Sequence, residues 1–119
     1  MNRWILLRHE LNEFNPEDFH YDLLLENKFD CYTWKLFHLP KVNSLPIKII
    51  QQPNHRIFWL TVNRQKLTKG RGFVKRVDHG TFRFLDKDSH LNNFSIVLEG
   101  DIYNCLIQKK EKYLFCKSY

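Results

Sequence analysis

The segment His20-Tyr21-Asp22 carries an imidazole and a carboxylate two residues apart. On a β-strand, side chains at positions i and i+2 point to the same face, so His20 and Asp22 can converge on one cation. His9 can supply a third ligand if its strand pairs beside this one. Two imidazoles and a carboxylate suit manganese, zinc or ferrous iron. The spacing therefore predicts a metal site, although the same pair is also common as a plain surface or core pair.

A second candidate is a stretch of six bases in thirteen residues with no acid among them: Arg64, Lys66, Lys69, Arg71, Lys75 and Arg76. On a strand, turn and strand, these bases could line a groove and contact phosphates, or they could form an ordinary solvated face. Trp59 and Phe73 lie nearby in sequence and could either stack on nucleobases or fill the core. Residues 69–74 imitate the RNP1 signature of RNA-recognition modules, but arginines occupy its stacking positions and no helical pattern accompanies it.

Alternating and β-branched segments dominate the chain, and helical periodicity is hard to find. Glycine supplies turns at Gly70-Arg71-Gly72 and Glu99-Gly100-Asp101, and we expect Asp78-His79-Gly80 to turn a hairpin through a positive φ at glycine. We predict an all-β or mainly β chain, a small closed or partly open barrel of about eight or nine short antiparallel strands with little helix. The predicted strands are Trp4–His9, His20–Glu26, Cys31–Phe37, Ile47–Gln51, Arg56–Val62, Phe73–Val77, Thr81–Leu85, Phe94–Leu98, Ile102–Gln108 and Tyr113–Cys116.

The charge of the chain is unevenly placed. Residues 1–30 carry seven acids and three bases, whereas residues 31–119 carry six acids and sixteen bases, for a total of +6. This split predicts one surface that could hold a cation and another that could follow an anionic backbone.

Length and composition indicate a single domain over residues 1–119, with a hydrophobic fraction of 43% that is enough for one core. No apolar run approaches the roughly 18 residues of a membrane helix, and the apolar start is too short for a signal peptide. We therefore expect a cytoplasmic monomer without membrane contact. Cys31, Cys105 and Cys116 are widely spaced and form no CxxC pair, so we expect reduced, partly buried thiols.

Several short motifs, in order, resemble the 3′-phosphoesterase domain of bacterial DNA ligase D. That family carries a histidine, then an H-x-D-x-R-L-E strand and an S-W strand. This chain carries matching segments over residues 4 to about 85. They are Leu6-Leu7-Arg8-His9, His20-Tyr21-Asp22-Leu23-Leu24-Leu25-Glu26, Thr33-Trp34-Lys35-Leu36, Asn54-His55-Arg56, and the run from Gly70 to Phe82.

The resemblance implies a small β-barrel that trims the 3′ ends of nucleic acid in DNA repair, with Mn²⁺ or another divalent metal such as Zn²⁺. It removes a terminal ribonucleoside or a 3′-phosphate. By position, His9, His20 and Asp22 correspond to metal ligands, and His55 to a histidine that contacts the scissile phosphate, so that His9 and His55 form the expected catalytic set. DNA 3′ ends are the expected partner, and a separate ligase or polymerase is a further possible one.

One departure from the family pattern concerns phosphate binding. The family arginine two residues after the aspartate is Leu24 here, and Lys35, Arg56 or Arg71 could compensate from neighbouring strands. With the basic stretch, these residues form the expected phosphate-binding set. Leu24 favours an alternative, a nucleic-acid-binding module that retains the fold without catalysis. A third possibility is a non-haem iron oxygenase in which His55 is the distal histidine.

Overall fold

A computed structural model describes residues 2–12, 14–42, 44–88, 92–111 and 113–118. Ten β-strands and one 3-10 helix lie within this part of the chain. The helix, Ile57–Thr61, falls between β5 and β6. The strands are β1 (Arg3–Glu10), β2 (Phe19–Glu26), β3 (Asp30–Leu36), β4 (Ile47–Lys48), β5 (Ile50–Arg56), β6 (Arg64–Lys66), β7 (Phe73–Lys87), β8 (Asn93–Gly100), β9 (Asn104–Lys110) and β10 (Tyr113–Ser118).

The strands form one antiparallel sheet that curls into a nearly closed barrel of nine strands with one unsealed seam. Their order is β4-β10-β9-β8-β7-β1-β2-β3-β5, with β6 paired to β7 outside this path. The two edge strands, β4 and β5, are consecutive in the chain and separated only by Ile49, so the seam lies at this point. The predicted mainly β barrel is confirmed.

The barrel interior is filled by alternate residues from strands all round the sheet, including Trp4, Leu6, Leu23 and Leu25. On β1 and β2 the opposite face is also buried, in a smaller group that we call the outer cluster: Ile5, Leu7, Leu24, Cys31, Leu60 and Val74. The 3-10 helix supplies Leu60 and covers this face. Burial on both faces explains why β1 and β2 read as nearly continuous apolar runs rather than as alternating ones.

The predicted hairpin at Asp78-His79-Gly80 is wrong, because residues 73–87 form the single strand β7. β7 pairs with β1 over its first half and with β8 over its second half. Gly80 lies where β7 is flanked by β1 on one side and β8 on the other. A Cβ at this position would stand 1.9 Å from the carbonyl oxygen of Glu99. Glycine is needed for close approach rather than for a turn. The buried carboxylate of Asp78 accepts hydrogen bonds from four backbone N–H groups, of residues 79, 101, 102 and 103.

The predicted strand Arg56–Val62 is also wrong. Residues 57–61 form the 3-10 helix, and the strand lies earlier, in β5, despite Pro53. Among the described strands, β5 pairs with β3 alone, and its register shifts between Cys31 and Thr33, opposite the proline. An edge strand at a bulge tolerates a residue without an N–H group. The apolar run after it folds over the outer cluster instead of extending the sheet.

Among the described residues, no helix has the length and apolar character needed to cross a membrane.

We expect Gly80→Ala to lower the free energy of unfolding by about 3 kcal/mol, because the new methyl group meets fixed backbone on β8. Urea denaturation measures this change. Gly70→Ala is the control, since Gly70 has a φ of 67° but no atom within 4 Å of a built Cβ. It should cost only about 1 kcal/mol of backbone strain. Equal losses for the two variants would contradict the close-approach role of Gly80.

Candidate metal centre

Pairing of β1 with β2 brings the three predicted metal ligands together. His9 and His20 are direct cross-strand partners, and Asp22 lies two residues further along β2 on the same face. The two histidine rings stand edge to face with centroids 4.9 Å apart. The juxtaposition that the sequence predicted from strand periodicity is present in the structure.

The ligand atoms have a spacing that a single ion can bridge. His20 Nε2 lies 3.2 Å from Asp22 Oδ1, and His9 Nδ1 lies 3.8 Å from Asp22 Oδ2. One atom from each residue falls within 4.8 Å of the others. Ligands about 2.1 Å from a tetrahedral or octahedral ion are about 3.0–3.4 Å apart. Small side-chain movements would therefore close the set around a divalent cation, leaving further coordination positions open to water or substrate.

The tautomer of His9 is set by the loop between β6 and β7. His9 Nε2 lies 2.9 Å from the backbone carbonyl oxygen of Arg71. A carbonyl oxygen only accepts, so Nε2 donates its hydrogen and Nδ1 of the neutral ring keeps a lone pair directed toward Asp22. Histidine ligands of metals commonly hold their second nitrogen in this way. The arrangement gives His9 the geometry of a ligand as well as the right position.

Gly72 lets this loop lie against the end of β1. Its φ is 97°, and a Cβ there would stand 1.9 Å from the carbonyl oxygen of Glu10. No other residue type allows the approach that brings the Arg71 carbonyl to His9. The predicted turn at residues 70–72 is confirmed, with positive φ also at Lys69 and Gly70.

The site lies at the rim of the outer cluster, between buried apolar side chains and solvent. Side-chain exposure is 18% for His9, 12% for Asp22 and 9% for His20. Leu7 and Leu24 beside them are buried under the 3-10 helix. The three ligands are thus shielded on one side and reachable from solvent on the other, as expected for a site that exchanges ligands.

Lys35 is the cation best placed to compensate for Leu24. It is the cross-strand partner of Asp22 on β3 and is half-buried on the same face. Within the part of the chain that the structure describes, no carboxylate pairs with it. Leu24 is fully buried in the outer cluster, so a cation could not occupy its position without disrupting that packing.

The basic stretch forms β6, the connecting loop and the start of β7; the strand Arg64–Lys66 was not among the predicted ones. β7 pairs with β1, so the stretch borders the triad on the side opposite Lys35. Arg76 is the cross-strand partner of Leu7, and Arg71 donates to the backbone oxygen and hydroxyl of Thr68. Across the described residues, none of the six bases pairs with a carboxylate. Their charge is therefore available to an anion.

The structure places His55 and Arg56 apart from the triad. His55 is the partner of Cys31 on β3, and Cys31 is the partner of Glu26 on β2. His55 is therefore displaced from Asp22 by four residues along the strand direction, about 13 Å, and by two strands across the sheet, about 10 Å. Its Nδ1 is 3.0 Å from the carbonyl oxygen of Pro53. The catalytic role of His55 stays a prediction from the resemblance, and His9 occupies the third position that the oxygenase alternative assigned to His55.

The three cysteines are free and buried, in agreement with the expectation of reduced thiols. Burial raises the pKa of Cys31 to about 11, so this thiol is protonated at neutral pH and is a poor nucleophile.

Sequence reasoning missed two parts of the site. The Arg71 carbonyl is a backbone group, and only the glycines on either side of it could have indicated a close approach. The cleft beyond His9, bordered by Phe14 and Phe73, depends on how two loops meet and has no local signal.

No protein-family model matches the chain, and no curated protein matches its sequence at a significant level.

We expect the protein to bind one Mn²⁺ and the His20→Ala variant to lose that binding, because two of three ligands cannot hold the ion. Titration calorimetry on metal-stripped protein measures both. His79→Ala is the control. His79 lies on another part of β7, is half exposed and pairs with Asp101. Retention of manganese binding by His20→Ala, or its loss in His79→Ala, would contradict the assignment.

We expect Gly72→Ala to weaken metal affinity about tenfold, because displacement of the loop removes the carbonyl that orients His9. Gly70→Ala is a matched control. It also introduces alanine at positive φ, but it meets no atom within 4 Å. The same titration compares them, and equal affinities would show that the Arg71 carbonyl does not support the site.

Proposed function

We propose that the chain is a divalent-metal-dependent phosphoesterase that acts on the 3′ ends of nucleic acid. The observation that carries the proposal is the convergence of His9, His20 and Asp22 at a partly open site flanked by basic side chains. The choice of Mn²⁺ as the metal and of DNA ends as the substrate comes from the motif resemblance. A ligase or polymerase partner, a monomeric state and a cytoplasmic location remain predictions from the sequence.

The charge of the ligand set supports an anionic substrate. Two neutral imidazoles and one carboxylate leave a net charge of about +1 on a bound divalent ion. A site rich in carboxylates would cancel that charge and repel phosphate. The carboxylate of Glu10, next to His9 in the chain, pairs with Arg8. Lys35 on one side and the basic stretch on the other add positive charge. Together they favour a phosphate at the metal and an anionic chain extending from it.

The chemistry is hydrolysis of a phosphate ester. The oxygen of water bonds to phosphorus, the bond from phosphorus to the 3′ oxygen breaks, and that oxygen leaves as a hydroxyl after protonation. A bound divalent ion would supply Lewis-acid polarisation of the phosphoryl oxygen. The chain itself contributes orientation. The Arg71 carbonyl holds the ring of His9, and the ammonium group of Lys35 can pair with a phosphate oxygen that faces Asp22.

One observation favours a second candidate, a nucleic-acid-binding module without catalysis. The position of the family arginine is filled by Leu24 at 0% exposure inside the outer cluster. The basic stretch would serve such a module equally well. Hydrolysis distinguishes the two, because only the enzyme releases phosphate.

We expect Mn²⁺-dependent release of phosphate from a 3′-phosphorylated oligonucleotide, and we expect Lys35→Met to reduce kcat/KM by about ten- to a hundredfold. A charge-assisted contact of about 1.5–3 kcal/mol accounts for that range. Lys48→Met, an exposed lysine on β4, is the matched control and should leave the rate unchanged. Colorimetric detection of phosphate gives the rates.

His20→Ala sets the background of this assay. Wild-type release no faster than that of His20→Ala would reject the enzyme. Salt-sensitive binding of the same oligonucleotide would then support the non-catalytic module. Equal losses for the two lysine variants would show that Lys35 acts only through general charge.

A further inference from the structure

A cleft of about 780 Å³ opens at the end of β1 that carries His9. It lies between the loop that joins β1 to β2 and the loop that joins β6 to β7. Its walls include Glu10, Asn12, Phe14, Lys66, Gly72 and Phe73. Sites for small organic ligands commonly have volumes of about 300–1,000 Å³, so this cleft has room for one nucleotide.

One wall presents an aromatic ring to solvent, on the segment that joins β1 to β2. Phe14 is 87% exposed, although burial of such a ring is strongly favoured in water. Its backbone N–H donates to the side-chain oxygen of Asn12, and Leu11 N–H donates to the carbonyl of Asp18 across the loop. The guanidinium group of Arg8 further ties the loop through the carbonyl of Pro16. The ring is thus held out by a loop that makes its own hydrogen bonds.

The opposite wall combines a second ring with cations. Phe73 begins β7 and is half-buried, and the guanidinium carbon of Arg64 lies 5.2 Å from the centre of its ring. Lys66 is the cross-strand partner of Phe73 and also lines the cleft. Aromatic rings with adjacent arginine and lysine are the usual surface for unstacked nucleobases, which they bind by stacking while the cations meet the backbone.

The cleft lies at the same end of β1 as the metal centre, although none of the three metal ligands lines it. Glu10 follows His9 on β1, and Gly72 follows Arg71, whose carbonyl holds His9. Successive strand residues are about 3.3 Å apart and point to opposite faces of the sheet. The side chains of Glu10 and its partner Phe73 are therefore directed away from the face that holds His9, and a nucleotide chain that joins the two sites must pass around the end of β1. The carboxylates of Glu10 and Asp18 in its wall disfavour a phosphate inside the cleft itself. A neutral base in the cleft, with its phosphate at the metal, keeps the negative phosphate away from these carboxylates and near the positive metal.

We propose that this cleft receives the unstacked base of the 3′-terminal nucleotide, so that the substrate is a single-stranded or frayed 3′ end rather than a paired end. The identity of that nucleotide rests on the proposed function, but the stacking site in the cleft does not depend on hydrolysis. A base inside a duplex is stacked on its neighbours and paired with its partner, so it is not free to stack on Phe14 and Phe73.

The test uses a short single-stranded oligonucleotide with a 3′-phosphate and 2-aminopurine, a fluorescent base, at its 3′ end. Titration in EDTA prevents turnover and isolates the base contact. We expect the wild type to quench the fluorescence on binding and Phe14→Ala to raise Kd about tenfold. Phe29→Ala is the matched control, since Phe29 is 89% exposed on the turn between β2 and β3 at the other end of the barrel. It should bind as the wild type does.

Equal Kd values for wild type and Phe14→Ala, or equal quenching when the terminal base is paired in a duplex, would overturn the proposal. A second measurement distinguishes the base-binding proposal from the proposed phosphoesterase activity. It compares Mn²⁺-dependent phosphate release from single-stranded ends by the wild type and by Phe14→Ala. Phe14-dependent quenching without any release supports the cleft and rejects the enzyme. Release with an unchanged KM in Phe14→Ala supports the enzyme and rejects the cleft.

Discussion

The register between β1 and β2 is the constraint on which the candidate site depends. Side chains alternate with a period of two along a strand, so a slip of one residue would turn His20 and Asp22 into the barrel and leave His9 outside. Apolar packing on both faces prevents that slip. Leu6 and Leu23 fill the interior, whereas Leu7 and Leu24 fill the outer cluster. The hydrophobic effect thus determines the position of the three polar ligands.

Burial of the outer face has a second consequence, because something must cover it. The segment from the 3-10 helix to the start of β7 crosses β1 and β2 and packs Leu60 and Val74 against them. The same segment carries the carbonyl of Arg71 to His9 and lines the cleft that Phe14 faces. This one segment therefore shields the metal ligands, orients His9 and forms one wall of the cleft. Leu24 belongs to this packing, which explains why no cation stands at its position.

Strand periodicity was enough to predict the barrel class and to place His20 and Asp22 on one face, because both follow from a local repeat of two. The addition of His9 depends on the pairing of β1 with β2. It was not enough at Gly80, where glycine is required by the backbone of β8, a segment distant in sequence. The 3-10 helix was read as a strand because a buried apolar run has the same composition in both. The Arg71 carbonyl left no side-chain signal. At Gly80 and at Arg71, what escaped prediction was a contact between segments far apart in the chain.

Pulsed electron paramagnetic resonance of the manganese-loaded protein tests the central claim most directly, because it counts the nitrogens bound to the metal. The structure predicts coupling from two imidazole nitrogens in the wild type and from one in His20→Gln under saturating metal. Coupling only from solvent protons, or nitrogen coupling that is unchanged in the variant, would show that the histidines brought together by the β1–β2 register do not bind the metal.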